Sequence, residues 1–373
     1  MADWALDPDV VHLNHGSYGG CPRVVLEASA AIRARLEAAP MRFFVLEWQA
    51  ELDRARAALA EFIRAPDDRL AFVPNATTGV QIALASTPIA AGDELLVLED
   101  AYRACRNQLA RLADARCATI VTVAMPRPFD PDQLVDAVRR AVTPRTRLAL
   151  LDHVTSPTAI AIPLERIVPM LAGVTVIVDG AHAPGQLALD VGALLSLGVA
   201  WYAGNSHKWL CAPKSTGFLV AAAPESTRPI VTSHGASPEY GPPNRFHAEL
   251  DWSGTHDPTA HLSVPAAIAA IAELGDGWPR TIKRNHDLAL ELCARLGGTP
   301  VAPPSSIGTM IAMPIEYLTD PMELQLALLR DGFEVPLVDS ARGPLLRVSA
   351  HLYNTAADAD RLAAALHGRV RFV

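Results

Sequence analysis

The sequence shows no sign of export or membrane insertion. Its start, MADWALDPDVVHLNHG, has neither a basic cluster nor an apolar segment. No uninterrupted apolar run approaches the length needed to cross a bilayer. Basic residues are not in excess: 32 Lys and Arg stand against 40 Asp and Glu, and the formal charge of −8 gives nucleic acid no electrostatic reason to bind. Cysteine is scarce. Cys21, Cys105, Cys117, Cys211 and Cys293 are far apart and odd in number, so they read as reduced thiols in a cytoplasmic protein. The spacing His12-x-x-His15 suits zinc, but with no CxxC or HExxH beside it no metal is expected. No GxGxxG follows an early strand, which argues against a nicotinamide dehydrogenase.

What is present is a chain of 373 residues, half of them hydrophobic, enough for one large domain, a smaller one and an ample core. Residues 1–20 read as an irregular arm, 21–275 as the large domain and 276–373 as a small C-terminal α/β domain. From residue 70, short apolar runs alternate with helical signals. Leu70–Val73, Glu94–Leu98, Thr119–Val123, Arg147–Leu151, Val174–Val178 and Val199–Ala203 read as strands. The spacing suits βαβ crossovers, and the fold class is α/β: a mostly parallel sheet with helices on both faces. Ligands of such sheets bind at the carboxyl ends of the strands. Asp179 falls at one such end, and Asn205, His207 and Lys208 at the next. An acid and a lysine so placed suit pyridoxal 5'-phosphate, the lysine carrying the cofactor and the carboxylate keeping its pyridine nitrogen protonated. Lys214 is the competing lysine, beyond Pro213 and better suited to a surface pair.

Three further stretches invite chemistry. Pro74-Asn75-Ala76-Thr77-Thr78-Gly79 reads as strand, turn and helix start, where free N–H groups and two hydroxyls suit a phosphate; an ordinary Asn cap is the plainer reading. Asn14-His15-Gly16-Ser17-Tyr18-Gly19-Gly20 is rich in glycine, as where backbone lies close to something else. Arg347 sits inside the apolar run Leu345–Val348, where an arginine is costly without an anion or a structural ion pair.

DGAHAPG, followed 29 residues after Asp179 by the lysine of GNSHKWLCAPKSTGFL, resembles the aminotransferase class V group of fold-type I pyridoxal-phosphate enzymes. The likeness runs from LNHGSYG to LLRVSAHLYNT and is nearest to the isopenicillin N epimerase-like branch. It implies catalytic roles for Lys208, Asp179 and His182. It implies a phosphate site at Ala76, Thr77, Thr78, Asn205 and His207, and ring contacts from Tyr102 and Ser156, the latter where relatives often have Asn. Asn14, His15 and Tyr18 would line the substrate pocket, and Arg347 would grip the α-carboxylate. Thr255 would reach the phosphate of a neighbouring subunit, making a homodimer with shared sites. Arg103, where Gly is usual, and His256 depart from the pattern.

The implied substrate is a small-molecule amino acid, and the implied reaction epimerisation at the α-carbon. A C–S β-lyase of the hercynylcysteine sulfoxide lyase kind and an aminotransferase are the alternatives. A desulfurase needs a loop cysteine before the Arg347 strand, and 314–348 contains none. A pyridoxal-phosphate-binding regulator is a non-enzyme alternative, but the chain shows no spare length for a DNA-binding helix pair. The substrate side chain, the fate of the carbanion and the pathway stay open.

Overall fold

A computed structural model describes residues 3–240, 242, 244–341 and 343–373. The strands are β1 (Val11–His12), β2 (Leu70–Val73), β3 (Glu94–Leu98), β4 (Thr119–Val123), β5 (Thr146–Asp152), β6 (Thr175–Gly180), β7 (Val199–Asn205), β8 (Gly217–Ala221), β9 (Met310–Tyr317), β10 (Phe333–Glu334), β11 (Leu337–Ser340), β12 (Gly343–Ser349) and β13 (Val370–Phe372). Seven of them form one sheet in the order β2-β8-β7-β6-β5-β3-β4. β7 through β4 run parallel, while β8 is antiparallel to both β7 and β2. Aliphatic residues on both faces of β3, β5 and β6 are buried, as a sheet covered by helices on each side requires.

The chain leaves β3 outward for β4 and returns to β5 on the other side of β3. This reversal is a topological switch point, and a crevice opens outside the strand ends there. β5 and β6 are paired so that Asp152 lies opposite Asp179, while Gly180 pairs with Gly204 on β7. Residues at these ends therefore converge.

A smaller antiparallel sheet, β11-β12-β9-β13, forms the second layer system, with Arg347 on β12 opposite Ala312 on β9. The helix Trp278–Leu296 packs against both β9 and the helix Ala356–Leu366.

Residues 1–20, expected to be irregular, contain β1, which pairs in parallel with β10, and a helical turn at His15–Tyr18. The partner strand is more than 300 residues away, so nothing local announces it. The helix after β2 starts at Ala76, because the Asn75 side chain accepts the Thr78 amide and caps it there. The helices Thr259–Leu262 and Val264–Leu274 follow one another with a break at Ser263. Between β8 and the helix Arg245–Leu250 the chain makes short helical turns at Pro224–Ser226 and His234–Ala236.

Candidate active site

Lys208 follows β7 and is lodged at the crevice with its Nζ 3.0 Å from His182 Nε2. Burial draws its pKa down to about 8; the carboxylate of Asp179 opposes this and Arg347 adds to it. His182 follows β6. Burial first, then the Lys208 and Arg347 charges, hold its pKa well below the usual value, so the ring is neutral. With Nε2 facing the ammonium, the remaining proton sits on Nδ1, a buried atom without a partner. The backbone of Lys208 is held from behind by His15, whose Nε2 is 3.1 Å from the Lys208 carbonyl. Lys214 instead donates to the Gly19 carbonyl at 2.9 Å and is exposed; it does not line this cavity, and among the described residues it forms no ion pair.

Asp179 is buried and accepts from the Ala181 amide at 3.0 Å and the Cys105 thiol at 3.1 Å. Those two bonds fix the plane of its carboxylate. Asp152 is a second buried carboxyl on the same wall and accepts the Tyr102 amide at 3.2 Å. Burial, followed by repulsion from Asp179, raises its pKa well above the ordinary carboxyl value. Neighbouring strand ends thus carry two buried carboxyl groups, one anchored by two donors and the other of raised pKa.

The cradle opposite is built by Asn75, Ala76 and Thr77 at the start of an eleven-residue helix. Asn205 Oδ1 accepts the Ala76 amide at 2.8 Å and ties β7 to this helix start. Thr78 is turned the other way: both its amide and its hydroxyl go to Asn75 Oδ1. Of the three residues expected there, Ala76 and Thr77 line the cavity and Thr78 does not. His207 lines it too, with Nδ1 set by the Thr216 carbonyl at 2.8 Å.

Ser17, Tyr102 and Ser156 line this cavity and also an adjoining outer chamber of 690 Å³. Arg347 faces the outer chamber. Its Nη1 donates to the Ser156 carbonyl and, at 3.3 Å, to the Ser156 hydroxyl; its Nη2 donates to Ser17 Oγ at 2.8 Å and Asn14 Oδ1 at 3.4 Å. All are neutral. Among the described residues Arg347 has no carboxylate partner, its Nε is unsatisfied, and burial lowers its pKa to about 10. The structural ion pair that the sequence allowed is not there.

The model of the aminotransferase class-V family matches residues 21–300. The chain belongs to this family. As a class-V member it is a pyridoxal-phosphate enzyme, and the similarity extends beyond the matched segment. It is 38% identical to isopenicillin N epimerase of Amycolatopsis lactamdurans, covering 97% of this chain and 96% of the relative. The epimerase of Streptomyces clavuligerus is 37% identical, with 98% of each chain covered. A probable chloroplastic L-cysteine desulfhydrase of Arabidopsis thaliana is 30% identical over 98% of this chain and 84% of its own. Among solved structures, the cystine C–S lyase C-DES with its product cysteine persulfide superposes with a TM-score of 0.85, at 20% identity and 96% coverage of this chain and 97% of that one. That likeness carries the fold alone.

The residues present fit the cofactor of the class-V family. The crevice offers an amine of lowered basicity, a carboxylate anchored by two donors, a helix start, and an unsatisfied His182 Nδ1 in one enclosure. Other expected positions lie elsewhere. His15 is buried with Nδ1 on the Tyr353 hydroxyl, stacked on His351, and lines neither cavity; Tyr18 is 74% exposed and lines neither. Both belong to a turn of helix whose facing the sequence did not specify. Thr255 is exposed and outside the cavity of its own chain, and the neighbouring His256 bonds the Gly254 carbonyl. Three participants escaped the sequence reading. Asp152 ends a strand as Asp179 does, which was a usable signal; Ser17 lies in the glycine-rich stretch singled out in the sequence, though without a role of its own, and Cys105 gave no signal, because only the folded chain brings them to Arg347 and Asp179.

Proposed function

We propose that this class-V enzyme epimerises the α-carbon of an amino acid. The observation that carries the reading is the buried, weakly basic amine of Lys208, beside a neutral imidazole and near an arginine without a counter-ion. Full-length identity of 37–38% to two isopenicillin N epimerases supports the choice of reaction.

In this reading Lys208 would hold the cofactor covalently, Asp179 would take its ring nitrogen, and Asn75–Thr77 with Asn205 and His207 would hold its phosphate. When bound, pyridoxal phosphate supplies the electron sink that makes an α-proton removable. Arg347 takes the substrate carboxylate through two N–H donors of its planar fork. That contact sets which bonds of the α-carbon face Lys208. Nζ takes the α-proton, and its lowered pKa leaves about a tenth of the amine in the neutral, proton-accepting form at pH 7, where an ordinary lysine has almost none. His182 Nε2 accepts from the resulting ammonium and keeps it aimed at the same carbon. A proton from water on the opposite face completes the inversion and Nζ releases its own to solvent, so the substrate and product have the same composition.

Release of a β-sulfur group is the second reading, favoured by the desulfhydrase relative at 30% identity. Incubation of the holoenzyme with an amino-acid panel in D₂O separates the two. Epimerisation predicts α-deuteration with inversion and no keto acid or sulfide. Stoichiometric sulfide and keto acid from cysteine, without inversion of any panel member, would replace it with the lyase.

We further propose a homodimer in which Thr255 completes the partner's phosphate site. Its exposure, and that of Met41, Val45 and Leu46, supports this assembly. Mixing Lys208→Ala and Thr255→Ala proteins should restore activity in heterodimers, and a fully active monomer in sedimentation would exclude it.

A further inference from the structure

We propose that the outer chamber is a subsite for a second anionic group on the substrate, read by Arg103, so that the enzyme prefers amino acids with an extended side chain ending in an anion. The inference rests on the amino-acid reading of the inner cavity and deepens it.

Size is the first argument. At 690 Å³ the chamber falls within the roughly 300–1,000 Å³ typical of small-molecule pockets, far beyond what a cysteine side chain would occupy. It adjoins the cofactor cavity through Ser17, Tyr102 and Ser156, so a substrate whose carboxylate meets Arg347 has this chamber open to its side chain.

Charge is the second. Three arginines line the chamber in a chain that is acidic as a whole. Arg347 is held by neutral acceptors. Arg106 donates to the Leu98 and Glu99 carbonyls, at 3.2 and 2.9 Å, and forms no ion pair among the described residues. Arg103 is exposed at the first position of the helix Arg103–Arg116 and has no hydrogen-bond or ion-pair partner among those residues. The acids of the same wall are differently placed. Glu99 is engaged by Arg127 at 3.0 Å and by the Met125 amide; Asp100 is buried and accepts from Thr158; only Asp339 is exposed. The wall carries as many acids as arginines, but Glu99 is paired with Arg127 and Asp100 is buried, which leaves Arg103 to meet an anion, and its fork suits a carboxylate, sulfonate or phosphate. A tyrosine followed by glycine would leave this position without the cation.

The test titrates the holoenzyme with dicarboxylic amino acids from aspartate to 2-aminosuberate, each against its ω-amide, following visible absorption. At the best chain length the acid should bind about tenfold tighter than the amide, and Arg103→Gln should bring the ratio to about one. The ratio cancels any general effect of the substitution, since both ligands share it. A wild-type ratio of one at every length, or a preference that survives Arg103→Gln, would overturn the subsite alone. Silence toward every amino acid, alanine included, would overturn the amino-acid reading and the subsite with it.

Discussion

A lysine drawn down to a pKa of about 8 is half neutral where an ordinary lysine remains almost wholly charged. The rate at which the cofactor-free protein takes up pyridoxal phosphate should therefore rise about tenfold per pH unit below 8 and level off above it. Stopped-flow absorbance would show this, and a rate still climbing through pH 10 would mean that burial does not act on Lys208 as described. Arg347 carries the second residue-scale expectation. Arg347→Lys keeps the charge but loses the fork, and should weaken amino-acid binding about thirtyfold, on the order of 2 kcal/mol, while leaving cofactor absorbance intact. Spectral titration checks it; lost folding with unchanged affinity in the surviving protein would make the arginine structural. At this scale the sequence was informative where a residue broke its local pattern. Arg347 interrupts an apolar strand and Asp179 ends one, and both could be singled out. His15 could be singled out too, yet it packs behind Lys208, because position on a short helical turn, not residue type, decides what a ring faces.

At the level of elements, the glycine-rich segment shows why close backbone approach matters. Gly19 has φ of +70°, and a Cβ there would lie 2.0 Å from the His207 carbonyl, on the loop that carries Lys208. Gly20, next in the chain, would meet only ordinary contacts with Leu6 and Trp4 at 3.5 Å. Gly19→Ala should cost roughly 1–3 kcal/mol and loosen cofactor retention, whereas Gly20→Ala should cost far less. Thermal denaturation and equilibrium dialysis would register the contrast, and equal behaviour of the two variants would refute it. The sequence indicated that these glycines meet something, but not that the lysine loop is what they meet. Strands that bury both faces were legible almost to the residue, Leu70–Val73 and Glu94–Leu98 among them, since an apolar run between turn signals is local information. β1 was not legible, because it pairs with β10, more than 300 residues away.

For the whole molecule, the switch point between β3 and β5 explains why functional groups from positions 76, 102, 152, 179 and 208 meet in one crevice. Parallel strands present their ends on one side, and helices return the chain to the other. The alternation of strand and helix signals made that architecture readable before any coordinates. The second sheet places Arg347 against Ser156 and Ser17 across hundreds of residues of sequence, a juxtaposition no spacing could convey. The account depends most on one covalent assignment, cofactor on Lys208 and not on the exposed Lys214. Borohydride reduction of the holoenzyme followed by peptide mass mapping tests it directly. The account predicts the reduced cofactor mass on the peptide containing Lys208, and none in Lys208→Ala protein; the same mass on Lys214, or no adduct on a protein that binds the cofactor, would contradict it.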